Sequence, residues 1–212
     1  MIKLGTFLAT SAVAAALATP ALASSKNMSG AYLGTSFGYG IGEAHSKIKN
    51  TAGLAITNNP SMKGMIGGVH LGFQKDFGRI VAGVEAAGNL SNTKTSNSLQ
   101  LGALTVKNVL KRKNALNVAG RFGFKLNDWL VYAKGGYENA KFSTNSKAKR
   151  LNGVLAGLGF ETITCNHVMF GGEYTYTMYK RETFKTTVNG VGVSTKSQPR
   201  IGDFKLRIGY KL

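Results

Sequence analysis

The chain has 212 residues, 43% of them hydrophobic, with three prolines, one cysteine, and 27 Lys and Arg against 9 Asp and Glu for a formal net charge of +18 at pH 7. That length and apolar content exclude a disordered chain and fit one folded domain. The lone Cys165 excludes an intramolecular disulfide, and past the first residues no apolar run reaches the ~20 residues of a spanning helix. A closed β-barrel stays open as a way across a membrane, because it satisfies its backbone between strands and carries little hydropathy per strand.

Residues 1–23 read as an export signal: Lys3 is the charged start, Leu4 to Leu17 the apolar stretch, and Ala21-Leu22-Ala23 the small-x-small cleavage site. The folded domain is then expected over 24–212. Its first strand, Gly30 to Ile41, alternates Ala31, Leu33, Phe37 and Tyr39 with Tyr32, Gly34, Gly38 and Gly40. A second, Lys63 to Gln74, puts Met65, Val69, Leu71 and Phe73 on its apolar side. It turns through Asp76-Phe77-Gly78 into a third, Arg79 to Leu90, with Glu85 opposite Val84 and Ala86.

The fourth strand, Ala115 to Leu126, sets Leu116, Val118, Phe122 and Phe124 against Asn117, Arg121 and Lys125, then turns at Asn127-Asp128 into the fifth, which begins at Trp129. There Val131, Ala133 and Tyr137 oppose Tyr132, Lys134, Gly136 and Glu138. The sixth, Gly153 to Thr164, carries Glu161 on its polar parity. After Cys165-Asn166-His167, the seventh, from Val168, carries Glu173. The last, Phe204 to Leu212, alternates Phe204, Leu206, Ile208 and Tyr210 with Lys205, Arg207 and Lys211.

Connections at 48–62, 91–112, 143–152 and 182–200 are long and polar, and those between are short. Within the last, Asn189-Gly190 signals a tight type I′ turn, so the seventh and eighth strands should continue as a hairpin beyond the bilayer. Short turns on one side and long loops on the other describe an all-β, eight-stranded, antiparallel up-and-down transmembrane barrel. A soluble barrel would alternate equally well with the apolar side turned inward. Glycines crowding the polar parity, mixed charges there and aromatic residues near strand ends favour the membrane form. The charges at Glu85, Arg121, Lys134, Glu138, Glu161, Glu173, Lys205 and Arg207 are expected to form an interior ion network, since buried charges need partners.

The export signal, the eight amphipathic segments, stretches such as Ala31-Tyr32-Leu33-Gly34 and Val131-Tyr132-Ala133-Lys134-Gly135-Gly136, and the final strand together resemble the small OmpA-like and opacity-type outer-membrane barrels of Gram-negative bacteria. That resemblance implies the bacterial outer membrane as location and a role as surface antigen or adhesin. Such barrels usually finish on Phe or Trp, whereas this chain ends on Leu212, with Tyr210 on the same face.

Most Lys and Arg sit in or beside the long connections. Those expected to bind anions are Lys94, Lys107, Lys111, Arg112, Lys113, Lys147, Lys149, Arg150, Lys185, Lys196 and Arg200, with Glu182 as the opposing carboxylate there. The partners implied are outer-membrane lipid and lipopolysaccharide, anionic host polysaccharide, or haem. Export argues against nucleic acid as a physiological partner, and a monomer is expected.

No metal-ligand spacing joins His45, His70 and His167. Gly38-Tyr39-Gly40-Ile41-Gly42 is followed by no βαβ unit, and no cofactor is expected. Some small barrels modify lipid A; the rim trio Glu43, His45 and Ser46 is the candidate for such chemistry here, set against a non-enzymatic reading in which the loops do the work.

Overall fold

The computed structural model describes residues 27–50, 55–58, 61–95, 98–101, 104–107, 111–143, 148–164, 167–188 and 191–212. The expected export signal at 1–23, the expected turn at Asn189-Gly190 and Cys165 lie outside the described residues. In chain order the strands are β1 (Gly30–Asn50), β2 (Ala55–Asn58), β3 (Ser61–Asp76), β4 (Ile80–Thr95), β5 (Ser98–Leu101), β6 (Leu104–Lys107), β7 (Lys111–Leu126), β8 (Trp129–Ser143), β9 (Ala148–Ile163), β10 (Val168–Tyr179), β11 (Glu182–Val188) and β12 (Val191–Lys211).

Eight of these, β1, β3, β4, β7, β8, β9, β10 and β12, pair antiparallel with their neighbours in sequence order, and β12 returns to pair with β1 from Tyr32 opposite Lys211 to Asn50 opposite Val193. The ring is closed. No barrel strand is left with a row of unpaired donors and acceptors, which is what a bilayer demands.

Alternation decides the faces. Leu71, Leu158 and Leu206 are 63%, 65% and 71% exposed on the outside, whereas Glu85, Glu138, Glu161 and Glu173 are all 5% exposed or less within the lumen. Apolar outside and charged inside is the arrangement of a barrel solvated by lipid. Many outward aromatics lie near strand ends, Phe73, Phe124, Phe160, Phe170 and Tyr210 towards the short turns and Tyr39, Tyr137 and Tyr176 towards the long connections, while Phe37 stands between them.

The short turns hold backbone conformations that few residues take easily. Gly78 has φ +93° and Asn127 φ 54°, the left-handed region that glycine and asparagine tolerate best. Asp76 braces the first turn by accepting a hydrogen bond from the Gly78 N–H at 2.8 Å.

At the long-connection end the strands outrun their expected limits. β1 continues to Asn50, β12 starts at Val191, and β2, β5, β6 and β11 form small pairings within what read as loops. Beyond the bilayer both faces of a strand meet water, so the sequence loses its two-residue alternation while the backbone still gains from pairing.

Candidate functional site

The inward parity of six strands brings the predicted network residues together. Arg207 on β12 places Nη2 2.5 Å from Glu85 Oε2 on β4 and Nη1 2.5 Å from Glu173 Oε2 on β10. Lys134 on β8 reaches the same two carboxylates at 3.0 Å each, Lys205 adds a contact to Glu173 at 3.1 Å, and Arg121 on β7 pairs with Glu161 on β9 at 2.7 Å. Tyr32 donates to Glu85 and Tyr132 to Glu173. Their phenol ends lie against Gly72 and Gly159, where an added β-carbon would overlap them. These two glycines make room for the tyrosines that complete the network.

Glu138 belongs to a second layer nearer the long-connection end. It accepts from Tyr179, from Asn117, and from Arg112 at 2.7 Å; Arg112 also reaches Asp203 at 2.8 Å. Arg112 therefore corrects an expectation. Taken from the sequence as a loop residue that binds anions, it is fully enclosed in the lumen. A register shift against both neighbours, between Leu90 and Thr93 on β4 and between Arg112 and Ala140-paired Ala115 on the β8 side, turns it inward. Such a bulge changes the parity of every residue beyond it.

Among the described residues the buried charges balance: five cations, Arg112, Arg121, Lys134, Lys205 and Arg207, meet five carboxylates, Glu85, Glu138, Glu161, Glu173 and Asp203. The formal +18 is carried by the rest of the chain. Apolar layers close the ion layers at both ends: Met28, Val81, Leu130, Ile163 and Met169 at the short-turn end, and Met62, Phe142, Leu151 and Ile201 at the other. The lumen is a packed core, as expected when eight strands leave space for side chains alone.

Met28 is the part of this core that alternation could not indicate, because it precedes the first strand. Its N–H donates to Asp76 Oδ2 at 3.0 Å, Gln74 Nε2 donates to its carbonyl at 3.0 Å, and the Ser29 hydroxyl accepts from the Asp76 N–H. Asp76 also pairs with Lys125 at 2.5 Å. Burial by itself raises the Asp76 carboxyl, but the hydrogen bonds from Lys125, Met28 and Gly78 outweigh it and hold the group below its ordinary range.

On the outer wall the picture is reversed. Lys63, Lys94 and Lys111 follow or precede lumen residues Met62, Thr93 and Arg112, so they project outward. They stand in one register, Lys63 opposite Lys94 and Lys94 opposite Lys111. Arg200, before the buried Ile201, projects outward from β12 opposite Glu43 and Met178. Lys113 is exposed; Lys149 pairs with Glu182 at 2.6 Å and Arg150 donates to Asn139 at 2.6 Å. Lys107, Lys185 and Lys196 lie on β6, β11 and β12 with side chains outside the described residues, as does Lys147 altogether.

Of the rim trio, Glu43 is exposed on the wall opposite Arg200, while the His45 and Ser46 side chains lie outside the described residues. His70 sits in the lumen against Tyr32, and His167 in the last short turn against Tyr210. Among the described residues no three His, Cys, Asp or Glu side chains converge on a metal-sized space.

The sequence profile of the outer membrane protein beta-barrel domain family matches residues 9–211. The chain belongs to this family. It is 27% identical over 186 residues, 86% of this chain and 78% of the relative, to the 25 kDa outer-membrane immunogenic protein of Brucella canis, and equally to that of Brucella melitensis. Among solved structures the fold resembles the outer membrane protein OprG from Pseudomonas aeruginosa, with TM-score 0.51, 16% identity, and 87% of this chain and 97% of that one covered. It also resembles the outer membrane protein AlkL in lipid bilayers, with TM-score 0.50, 13% identity, and coverages of 92% and 96%. The barrel is thus an outer-membrane protein; barrels of this kind carry short turns on the periplasmic side and longer loops outside.

Proposed function

We propose that this barrel is a non-enzymatic surface protein that offers a basic outer margin to anionic polymers, both the lipopolysaccharide around it and anionic host polysaccharide. One observation carries the reading: the buried charges of the described residues balance, so the positive excess falls on the remainder of the chain, with Lys63, Lys94, Lys111, Lys113 and Arg200 projecting outward at the long-connection end. Five outward cations beside the single carboxylate of Glu43 generate a potential that attracts polyanions. The relatives named as an outer-membrane immunogen support exposure to the host.

The folded barrel in detergent, titrated with heparin and with purified lipopolysaccharide at two salt concentrations, tests it. Charge reversal at Lys111 and Lys113 should weaken both, and added salt should weaken wild-type binding, since exposed charges are screened within about 8 Å at physiological ionic strength. Affinity indifferent to reversal and to salt would remove the basic margin as the binding surface.

A further inference from the structure

A groove of about 330 Å³ opens on the bilayer-facing wall where β10, β12 and β1 meet. Its sides are Ile41, Tyr174, Tyr176 and Phe204, and the Tyr174 ring lies against Gly202, which gives the groove its floor. Arg200 and Glu43 stand at its external end. Tyr176, towards the long connections, is paired with Gly202; Arg200 lies two residues further out along β12, a step of about 7 Å. Below Arg200 the groove is aromatic and apolar.

The cations here lack the partners that buried charges have. Arg200 is half-buried, and its Nε is enclosed without a hydrogen-bond partner among the described residues. Ile41, in the groove, is paired with Lys63, and from Lys63 the register runs straight to Lys94 and Lys111. Like charges directly opposite each other destabilise adjacent strands unless an anion lies between them. Among the described residues the other carboxylates of this end are engaged elsewhere, Glu138 and Asp203 inside with Arg112 and Glu182 with Lys149, and no carboxylate makes an ion pair with Lys63, Lys94 or Lys111. Glu43, opposite both Arg200 and Ser61, offers an acceptor suited to sugar hydroxyls.

We propose that this wall is a docking site for a phosphorylated glycolipid of the outer leaflet, with an acyl chain in the aromatic groove and phosphates on Arg200 and the Lys63, Lys94, Lys111 ladder. The inference rests on the reading of the protein as a binder of surface anions and narrows it to one partner and one face. A soluble polysaccharide has no use for a groove below the headgroup level, whereas an amphiphile matches both halves of the site. Arginine binds phosphate through paired N–H donors, and three neighbouring lysines supply the compensating charge.

The test is native mass spectrometry of the folded barrel with diphosphoryl lipid A, the same lipid with its phosphates removed, and heparin. The wild type should retain diphosphoryl lipid A and bind the dephosphorylated form about tenfold more weakly. Arg200→Gln and the triple Lys63→Gln, Lys94→Gln, Lys111→Gln variant should each lose about tenfold for the phosphorylated lipid, Arg200→Lys should recover part of that loss, and Lys75→Gln at the periplasmic end should change nothing. All these side chains are on the outer surface, and heat-modifiable mobility verifies that each variant is folded.

Equal retention of the two lipids, or wall variants that bind as the wild type does, overturns the site. If heparin still binds in that case, the broader reading survives the loss of this one; if heparin also fails, both fall. A lipid-independent dimer abolished by Tyr174→Ala would assign the groove to a second copy and would likewise overturn the proposal.

Discussion

Arg207 and Glu85 meet across the lumen at 2.5 Å although they lie on β12 and β4, strands separated by β1 and β3 in the ring and by 122 residues in the chain. Because the same guanidinium also holds Glu173, one side chain ties together strands from opposite parts of the wall. Taking a single partner from such a buried pair leaves a charge uncompensated, at a cost of roughly 3–5 kcal/mol. Glu85→Gln should therefore lower the temperature at which the folded electrophoretic band disappears. Adding Arg207→Met to Glu85→Gln should recover much of the loss, because the cation left in excess is then gone and Glu173 keeps Lys134 and Lys205. A double variant no better than the single would contradict the pairing.

Arg112 and Lys113 should separate cleanly, although they are neighbours in sequence. Arg112→Ala removes the cation shared by Glu138 and Asp203 and should destabilise the barrel, again by roughly 3–5 kcal/mol, without weakening heparin binding by the variant still folded. Lys113→Ala should leave melting within about 0.5 kcal/mol of wild type and weaken heparin binding. Detergent melting and salt-dependent titration of the two variants decide the point.

The Met28 plug should be sensitive to acid. Because the folded Asp76 carboxyl titrates below its unfolded value of about 3.9, it adds stability above that value and loses the contribution as pH falls through the folded one. Comparing the wild type with Asp76→Asn isolates this effect from the other carboxylates. The stability advantage of the wild type should be full at pH 7 and shrink below about pH 4; an advantage unchanged down to pH 2 would mean that Asp76 does not hold the segment.

Leu158 is two-thirds exposed on the wall of β9, and its environment can be read by charge. Leu158→Arg should destabilise the barrel in a bilayer by roughly 2–4 kcal/mol if it lies near the midplane. The same substitution on a water-facing surface would cost little. Equilibrium unfolding from vesicles distinguishes the two.

The sequence by itself determined the faces and which end of the barrel carries the short turns. Alternation through segments such as Phe204 to Leu212 follows from strand geometry alone, and short turns such as Asp76-Phe77-Gly78 announce their chemistry locally. Most of the lumen charges were legible for the same reason, since Glu85, Glu138, Glu161, Glu173, Arg121, Lys134, Lys205 and Arg207 all keep the parity of their strands, whereas Asp203, just before the expected last strand, was not among those expected.

Tertiary structure alone decided which of these charges meet, because partners such as Glu85 and Arg207 are fixed by the stagger and closure of the whole ring. It decided the fate of Arg112, which a bulge turns inward against the simple parity, and the place of Met28, which no period could mark. It also set Lys63, Lys94 and Lys111 side by side. Distances along the chain do not contain distances across a barrel: each cross-strand neighbour depends on the register of every strand between, and that is settled when β12 closes on β1.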